Sequence, residues 1–520
     1  MAILRGTVTV GGWTMVSRVL GFLRDIVIAA AIGTGPVADA WAVAFRFPNL
    51  FRRLFGEGAF NAAFVPLYAG KMEGEGVPAA QKFAQAILSA ILPVLIAVSA
   101  LAMIFMPWIM QVYAPGFADD PLRHGIAVDY TQIAFPYLLF MSLVALYAGV
   151  LNTHGRFAAA AAAQSLLNIV LIAASLIVHY AVDPPPGDPA WGYGLAFGVA
   201  FAGAAQFLFL AFALARRGLA LRPGRPRLTP EVRQTFRLAV PGIIAGGVSQ
   251  ISIFVMTVIA SLQDGAPSVL YYADRIYQFP LGIVGVAMGV VLLPTLARHI
   301  RGAREDLALH WQNRGVELSM LLTLPAAVAL MTIALPISVA LFERGAFDRA
   351  SSEMVASVLL IFGFGLPAFI LNKVMMPAYF ARSDTVTPMR YAIITLVLDI
   401  ALSTGLFFAF GAAGIAAGTS IAAWANFALL SRTLLKRGHF ALDGRARKRL
   451  PRILAASVAM GFVTFGLWQM LAPWFDRSNT MALAGLAIIC GAGLFAYAIA
   501  AFAFGATSLG DLRTQLSRKG

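Results

Sequence analysis

The chain has 520 residues, of which 60% are hydrophobic and 12% are charged. Soluble proteins are typically about 45–50% apolar and about 25% charged, so this composition excludes an ordinary soluble domain and predicts a polytopic membrane protein. The formal net charge of +15 does not indicate nucleic-acid binding, because most Lys and Arg lie in short loops between apolar segments. The single cysteine, Cys490, excludes a disulfide framework and a thiolate metal site.

Charged loops and Pro/Gly clusters divide the chain into about fourteen apolar helices, each long enough to cross a bilayer. No small-residue cleavage site follows the first segment, so we expect it to be retained rather than removed as a signal peptide. The predicted spans are 8–32, 38–69, 83–112, 126–153, 158–180, 191–215, 233–262, 268–297, 315–342, 353–381, 386–409, 412–435, 450–472 and 480–506.

The first two predicted helices carry charges that are rare inside a membrane. An ionised side chain in hydrocarbon is costly, so it persists only against a partner or a wet cavity. On a helical wheel the polar residues of each helix share one face, with Arg52 displaced to one side of the second. These residues are Ser17, Arg18, Arg24 and Asp25 in the first helix, and Asp39, Arg46, Arg53 and Glu57 in the second. Two polar faces on neighbouring helices predict a cationic chamber within a helical bundle.

Alternate loops differ in charge, which predicts the orientation of the chain. The loops 216–237 and 436–452 are rich in Arg, whereas the loop 181–190 is acidic. By the positive-inside rule both termini and the basic loops face the cytoplasm. A second interpretation of the loop 216–237 is a contact with anionic lipids.

The chain also contains two copies of a similar sequence, and matching positions are separated by a nearly constant number of residues. The sequence RFP at Arg46–Pro48 matches QFP at Gln278–Pro280, and VPLYA from Val65 matches LPTLA from Leu293. Each copy holds six predicted helices, so the copies are parallel repeats with a binding site expected between them near mid-depth. We therefore predict an N-terminal lobe at 1–217, a basic linker at 218–232, a second lobe at 233–437, a linker at 438–449, and two further helices with a tail at 450–520.

The second copy contributes the motif YYADRIYQFP, in which Asp274 and Arg275 interrupt the eighth helix. Over both copies the cations of the chamber outnumber its carboxylates. Guanidinium groups bind phosphate through two parallel hydrogen bonds, so this excess predicts an anionic, phosphorylated substrate.

The alternative is that these arginines only lock helices together or reach out to the membrane interface. Arg52 and Arg53 suit that interpretation, because Glu57 lies about one helical turn away. Arg18 and Arg24 lie too far inside the first helix to reach the interface.

The sequence supports an enzymatic function less well than a transport function. No nucleotide-binding P-loop motif occurs, and the histidines lack the paired spacing of metal ligands. They are His124, His154, His179, His299, His310 and His439. A membrane phosphatase or glycosyltransferase is the best enzyme alternative, but it needs a nucleophile or clustered carboxylates beside the arginines. Asp25 and Asp39 are the candidates, and both resemble salt-bridge partners instead.

Three stretches resemble the MurJ (MviN) family of bacterial lipid II flippases. They are SRVLGFLRD at 17–25, DAWAVAFRFPNLFRRLFGEGAFNAAFVP at 39–66 and YYADRIYQFPLGIVGVAMGVVLLP at 271–294. The resemblance implies a fold of the MOP exporter superfamily, similar to that of the MATE transporters. It also implies transport of the undecaprenyl-pyrophosphate-linked peptidoglycan precursor from the cytoplasmic to the periplasmic leaflet by alternating access. An O-antigen or drug exporter of that superfamily is a second possibility, although a drug exporter would favour an aromatic, acidic chamber.

The resemblance also implies roles for individual residues, and it favours Arg52 over Arg53 for the second helix. The predicted substrate-binding residues are Ser17, Arg18, Arg24, Arg46, Arg52, Arg53 and Arg275. The residues predicted to act in gating or salt bridges are Asp25, Asp39, Glu57 and Asp274. The last two helices would form a groove for the polyprenyl tail.

The chain departs from the family at two positions. Gln278 stands where relatives often carry an acid, and Met256 stands where they often place an aspartate of a sodium site. Asp399, Ser403 and Thr419 resemble the rest of that site, so the resemblance implies a weakened ion site. We expect a monovalent cation such as Na⁺ or the membrane potential as the coupling source, and protons are the remaining alternative. The alternative for Asp399 is a salt bridge or a polar contact between helices.

The partners and the location follow from the same resemblance. We expect a multi-pass protein of the bacterial inner membrane that binds lipid II and the bilayer but no nucleic acid and no other cofactor. We also expect a monomer that associates with the machinery of cell-wall synthesis.

Overall fold

The computed structural model describes residues 2–51 and 60–507, and these two ranges are mainly helical. A short 3-10 turn at Pro115–Phe117 accompanies the α-helices. The α-helices are α1 (Ala2–Ile32), α2 (Pro36–Phe51), α3 (Phe60–Glu75), α4 (Val77–Ile104), α5 (Met106–Tyr113), α6 (Pro121–Ala134), α7 (Pro136–Thr153), α8 (Phe157–Ala181), α9 (Pro189–Ala215), α10 (Pro230–Ser261), α11 (Ala266–Arg301), α12 (Glu305–Thr332), α13 (Ala334–Phe342), α14 (Arg349–Phe380), α15 (Val386–Phe410), α16 (Ala412–Lys436), α17 (Gly444–Arg477) and α18 (Asn479–Ala503).

Within the described ranges, ten helices have the length and hydropathy of membrane spans, with Pro121–Thr153 taken as one. The all-helical polytopic membrane fold is therefore confirmed, whereas the number of fourteen spans stays a prediction.

Three predicted spans are divided by a short break. The predicted helix 83–112 breaks at Phe105, the predicted helix 126–153 breaks at Phe135, and the predicted helix 315–342 breaks at Ile333. In each case a proline (Pro107, Pro136 or Pro336) lies in the first turn of the following helix. Proline has no N–H to donate to the preceding turn, and its ring opposes the carbonyl four residues earlier. The hydropathy of these segments is continuous across the break, which is why the sequence pattern predicted single helices.

Several helices begin with a capping residue directly followed by proline. Asp120 accepts hydrogen bonds from the N–H groups of Leu122 and Arg123 at the start of α6. Asp188 and Thr229 cap α9 and α10 in the same manner. The side-chain oxygen satisfies an N–H group that has no partner within its own helix, and proline fits the first helical position.

Contacts divide the chain into two compact units. The first contains Met1–Ser268 with Gly345–Phe347, and the second contains Val269–Arg344 and Asp348–Gly520. In the first unit α1 packs on α8, α8 and α7 pack on α9, and α10 packs against α3 and α4. The lobe boundaries predicted from the internal repeat stay a prediction, because a repeat is defined by sequence and these units are defined by packing.

In the second unit α15 packs on α16, and α14 packs on both α12 and α16. The hairpin of α17 and α18 packs against α12 and α13 around an apolar cluster that includes Ile333, Phe475 and Ile489. The other face of this hairpin exposes large apolar side chains such as Phe462, Met470 and Phe495. In a membrane-spanning helix such a surface faces lipid.

Candidate functional site

The structure brings Ser17, Arg24 and Asp25 together on the face of α1 that packs against α8. Arg24 is only 5% exposed, and its Nη2 and Nε groups donate to Oδ1 of Asp25 at 2.6 and 3.0 Å. Its Nη1 group donates to Oδ1 of Asn168 on α8 at 2.9 Å. The Asn168 amide in turn donates to the main-chain oxygen of Ser17 at 2.9 Å. This network fixes the plane of a guanidinium group inside the first unit.

Two features of this network bear on binding. The Arg24 guanidinium lies 5.4 Å from the centre of the Phe45 ring, a geometry in which the ring attracts the cation. Asn168 was not among the residues predicted from the sequence, although a single asparagine within an apolar helix is a recognisable signal of interhelical hydrogen bonding.

Arg18 and Arg46 occupy a different environment from Arg24. Both are half-buried, and neither forms an ion pair with a carboxylate in the part of the chain that the structure describes. A partly buried cation without an acidic partner is suited to meeting an anion from outside the protein. The other predicted residues of this region, Arg52, Arg53 and Glu57, lie outside the described residues.

The second unit holds the predicted pair Asp274 and Arg275 on α11. The Arg275 guanidinium lies 4.7 Å from the centre of the Tyr271 ring, one helical turn earlier. Gln278 donates a hydrogen bond from Nε2 to Oδ2 of Asp274. Gln278 therefore directs an amide donor at the carboxylate one helical turn earlier.

Asp39 lies at the centre of a buried polar cluster in the first unit. Its Oδ2 atom accepts from Nη2 of Arg123 at 2.5 Å and from the N–H of Gly265 at 2.8 Å. Its Oδ1 atom accepts from the N–H and the hydroxyl of Ser268 at 3.0 and 2.7 Å. Because α11 begins at Ala266, Asp39 acts as the cap of that helix and places negative charge at its positive end.

Arg123 on α6 is the main counter-ion of this cluster. It is 2% exposed, its Nη1 group contacts the carboxylate of Asp264, and its guanidinium lies 4.0 Å from the centre of the Phe117 ring. Arg123 was not among the residues predicted from the sequence. The Asp120–Pro121 pair predicts that a helix begins there and includes Arg123, but Asp39, the partner of Arg123, is 84 positions away in sequence.

The predicted ion-site residues also lie together, in the second unit. Thr419 and Ser403 donate from their hydroxyl groups to Oδ1 of Asp399 at 3.0 and 3.1 Å. The Ser403 hydroxyl also lies 3.2 Å from the main-chain oxygen of Ile415. One carboxylate, two hydroxyls and a carbonyl form an all-oxygen donor set, which fits a hard monovalent cation. Among the residues that the structure describes, no group of three or more His, Cys, Asp or Glu could hold a metal ion.

A second charged cluster, which sequence analysis did not identify, surrounds Glu317 on α12. Its Oε2 atom lies 2.7 Å from Nη1 of Arg314, 3.4 Å from Nε of Arg445 and 3.7 Å from Nη1 of Arg449. Arg314 also contacts Asp443, which caps the start of α17 through the N–H of Ala446. These contacts fasten the start of α17 to α12.

Comparison with known proteins places this geometry in a family context. The family described as "Lipid II flippase MurJ" matches residues 28–485. A relative from Rhizobium meliloti (strain 1021), named "Probable lipid II flippase MurJ", is 44% identical over 523 residues, which cover 100% of this chain and 97% of the relative.

Solved structures show a similar fold. The structure described as "Lipid II flippase MurJ, inward closed conformation" matches with a TM-score of 0.77 and 24% identity, covering 96% of this chain and 98% of that chain. A "multidrug resistance MATE family transporter of the MOP superfamily" in an inward-facing conformation matches with a TM-score of 0.64 and 15% identity, covering 84% and 95%. The expected likeness to the MATE transporters is therefore confirmed at the level of fold.

Proposed function

Because this chain belongs to the lipid II flippase MurJ family, we propose that it moves lipid II from the cytoplasmic to the periplasmic leaflet for cell-wall synthesis. The observation that carries this proposal is the family match over residues 28–485. Translocation leaves the covalent structure of the lipid unchanged, so the protein is a transporter and not an enzyme.

We propose that the arginines of α1 and α11 bind the diphosphate of the substrate. Arg24 supplies a positive charge whose orientation is set in advance by Asp25 and Asn168, which lowers the cost of ordering on binding. Arg18 supplies a cation that the described carboxylates do not neutralise. Arg275 supplies a guanidinium backed by the Tyr271 ring. Arg52 belongs to the same proposed set by its match to the family, with Ser17, Arg46 and Arg53 as further contacts.

Alternating access requires that one end of the protein opens while the other closes. We propose that the Asp39 cluster stabilises one of these two states. Separation of α2 from the start of α11 would leave two N–H groups, a hydroxyl and a buried guanidinium without their partner. The cost of that separation must be met by substrate binding or by the coupling source.

Two sources of coupling have support. The oxygens around Asp399 support a monovalent cation such as Na⁺. The excess of arginines over carboxylates among the residues predicted for the chamber supports the membrane potential, which acts on moving charge with about 2.3 kcal/mol per charge per 100 mV.

We further propose that the protein is a monomer of the bacterial inner membrane with both termini in the cytoplasm, in contact with the machinery of cell-wall synthesis. The basic loops 216–237 and 436–452 support this orientation by the positive-inside rule. Periplasmic labelling of cysteines introduced in the loop 181–190, but not in the loop 216–237, would test it.

The experiment that tests the function is rescue of a bacterium depleted of its own lipid II flippase. Arg24→Ala is expected to abolish rescue at a normal abundance in the membrane, whereas Arg301→Ala, an exposed site on the last turn of α11, is expected to preserve it. Normal growth with Arg24→Ala would contradict the proposed site. Purified protein in vesicles should move labelled lipid II between leaflets without covalent turnover, and covalent turnover would favour the phosphatase or glycosyltransferase alternative.

A further inference from the structure

A cleft of about 500 Å³ opens in the first unit, separate from the residues proposed to bind the substrate. It lies where the start of α1, the end of α7, the start of α8 and the end of α9 meet. Its lining residues are Thr9, Leu151, Gly155, Arg156, Phe157, Ala158, Ala159, Phe209, Phe212, Ala213, Arg216 and Arg217.

The cleft carries three cations with no acid among its lining residues. Arg156, Arg216 and Arg217 are exposed, and within residues 2–51 and 60–507 none of them forms an ion pair. The Arg216 guanidinium lies 4.5 Å from the centre of the Phe212 ring. Three guanidinium groups without carboxylates around one cleft form a site for an anion, and phosphate matches their paired donors.

The remaining wall of the cleft is apolar. Phe157, Phe209 and Phe212 are 37%, 38% and 56% exposed, and they continue the lipid-facing surface of α8 and α9. A free phosphate in water gains nothing from such a wall. A ligand that has a phosphate at one end and hydrocarbon at the other fits both halves of the cleft.

The segment after α9, which follows Arg216 and Arg217, is attached to α4 by two hydrogen bonds. The main-chain oxygen of Ala220 accepts a hydrogen bond from Gln81 on α4 at 2.9 Å, and the N–H of Gly224 donates to Ser89 on α4 at 2.8 Å. Leu219 and Leu221 are buried. The chain that leaves α9 is thus docked on the protein and does not extend into solvent.

We propose that this cleft binds an anionic phospholipid of the cytoplasmic leaflet. The three arginines contact its phosphate, and Phe209 and Phe212 contact its glycerol and acyl chains. Basic pockets between membrane helices on the cytoplasmic side bind anionic headgroups elsewhere in membrane proteins. The proposal goes beyond lipid II transport and depends only on the orientation proposed above.

The test uses the full chain in nanodiscs of phosphatidylcholine with and without phosphatidylglycerol. Native mass spectrometry measures how much phosphatidylglycerol the wild type, R216A/R217A and R225A/R227A retain. The control pair removes the same charge from exposed positions of the same loop, outside the cleft. R216A/R217A is expected to weaken retention roughly a hundredfold, since each charge-assisted hydrogen bond to the phosphate contributes about a factor of ten, and the control is expected to change it much less.

Equal losses in the two double variants would overturn the proposal, because they would indicate only general attraction to a charged surface. Displacement of the lipid by millimolar inorganic phosphate would also overturn it, because the apolar wall would then contribute nothing. If R216A/R217A does not fold, the single variant Arg156→Gln, at the residue directly before α8, tests the same cleft, with Arg227→Gln as its control. Lipid II exchange by R216A/R217A in phosphatidylcholine alone separates this site from the proposed function, since that activity is expected to persist.

Discussion

Asp39 in the first unit and Glu317 in the second are buried carboxylates that bind their surroundings in different ways. Asp39 is 0% exposed and accepts hydrogen bonds on both oxygens, three of the four from the start of α11. Glu317 is 6% exposed and contacts three arginines through Oε2, while its Oε1 atom has no hydrogen bond.

The two clusters differ in whether the partners of the carboxylate can reach water after the carboxylate is removed. The N–H groups of Gly265 and Ser268 are fixed by the backbone, and Arg123 is 2% exposed, so none of them can turn to water. The partners of Glu317 are long side chains, and that of Arg445 is 41% exposed. Flexible partners near solvent can recover hydration that fixed partners cannot. The Asp39 cluster is therefore rigid, and the Glu317 cluster can adjust.

The largest effect is expected from Asp39→Ala. Removing one partner of a buried ion pair typically costs about 3–5 kcal/mol, because the other charge stays buried without compensation. We expect the apparent melting temperature of the purified protein to fall sharply, or the variant to be lost from the membrane. Asp264→Asn is the control, because that side chain is 96% exposed although it contacts the same arginine. A similar loss for both variants would contradict the central role of Asp39.

Glu317→Ala is expected to destabilise less than Asp39→Ala, by about 2 kcal/mol, because its arginines can turn towards water. Thermal unfolding of the two variants in the same detergent compares them directly. Arg445→Ala removes one of three cations, and we expect a change below about 1 kcal/mol since the site is partly exposed. A larger loss for Glu317→Ala than for Asp39→Ala would reverse the comparison.

Ser268→Ala sharpens the comparison within the Asp39 cluster. It removes the hydroxyl that donates to Oδ1 at 2.7 Å but keeps the N–H that donates to the same atom at 3.0 Å. A single buried hydrogen bond contributes about 1 kcal/mol, so the expected loss of stability is of that size. Ser431→Ala, an exposed hydroxyl that bonds within its own helix turn, is expected to leave the melting temperature unchanged.

The comparison also separates what sequence could predict from what it could not. Hydropathy placed the helices, and helical periodicity placed Ser17, Arg24 and Asp25 on one face, because both patterns are local. The partners Arg123 and Asn168 lie far away in sequence from Asp39 and Arg24, and no local pattern specifies which distant helix packs there. Glu317 was missed for the same reason, since Arg445 and Arg449 belong to another helix. Asp399, Ser403 and Thr419 were predicted through their resemblance to a known site, not from the physics of the residues.

The smallest effect concerns Asp384, a half-buried carboxylate in the turn between α14 and α15 that is more exposed than the other two. Partial burial would raise its pKa, but hydrogen bonds from the N–H of Thr387 at 2.9 Å and from Arg437 at 2.7 Å lower the pKa to about 2. The unfolded chain has the ordinary pKa of about 3.9 and takes up a proton first, so this contribution to stability is complete above pH 4 and disappears as the pH falls through 2.

Asp384→Asn is therefore expected to lower the melting temperature slightly at pH 5, and the difference from the wild type should vanish as the pH approaches 2. Salt should reduce the difference at pH 5, because exposed ion pairs are screened. A difference in melting temperature that stays constant over this pH range would mean that the contact of Asp384 with Arg437 does not contribute to stability. A difference that persists at high salt would mean that Asp384 behaves like the buried carboxylates of Asp39 and Glu317. Solvent exposure would then not explain why one charge cluster is rigid and another is weak.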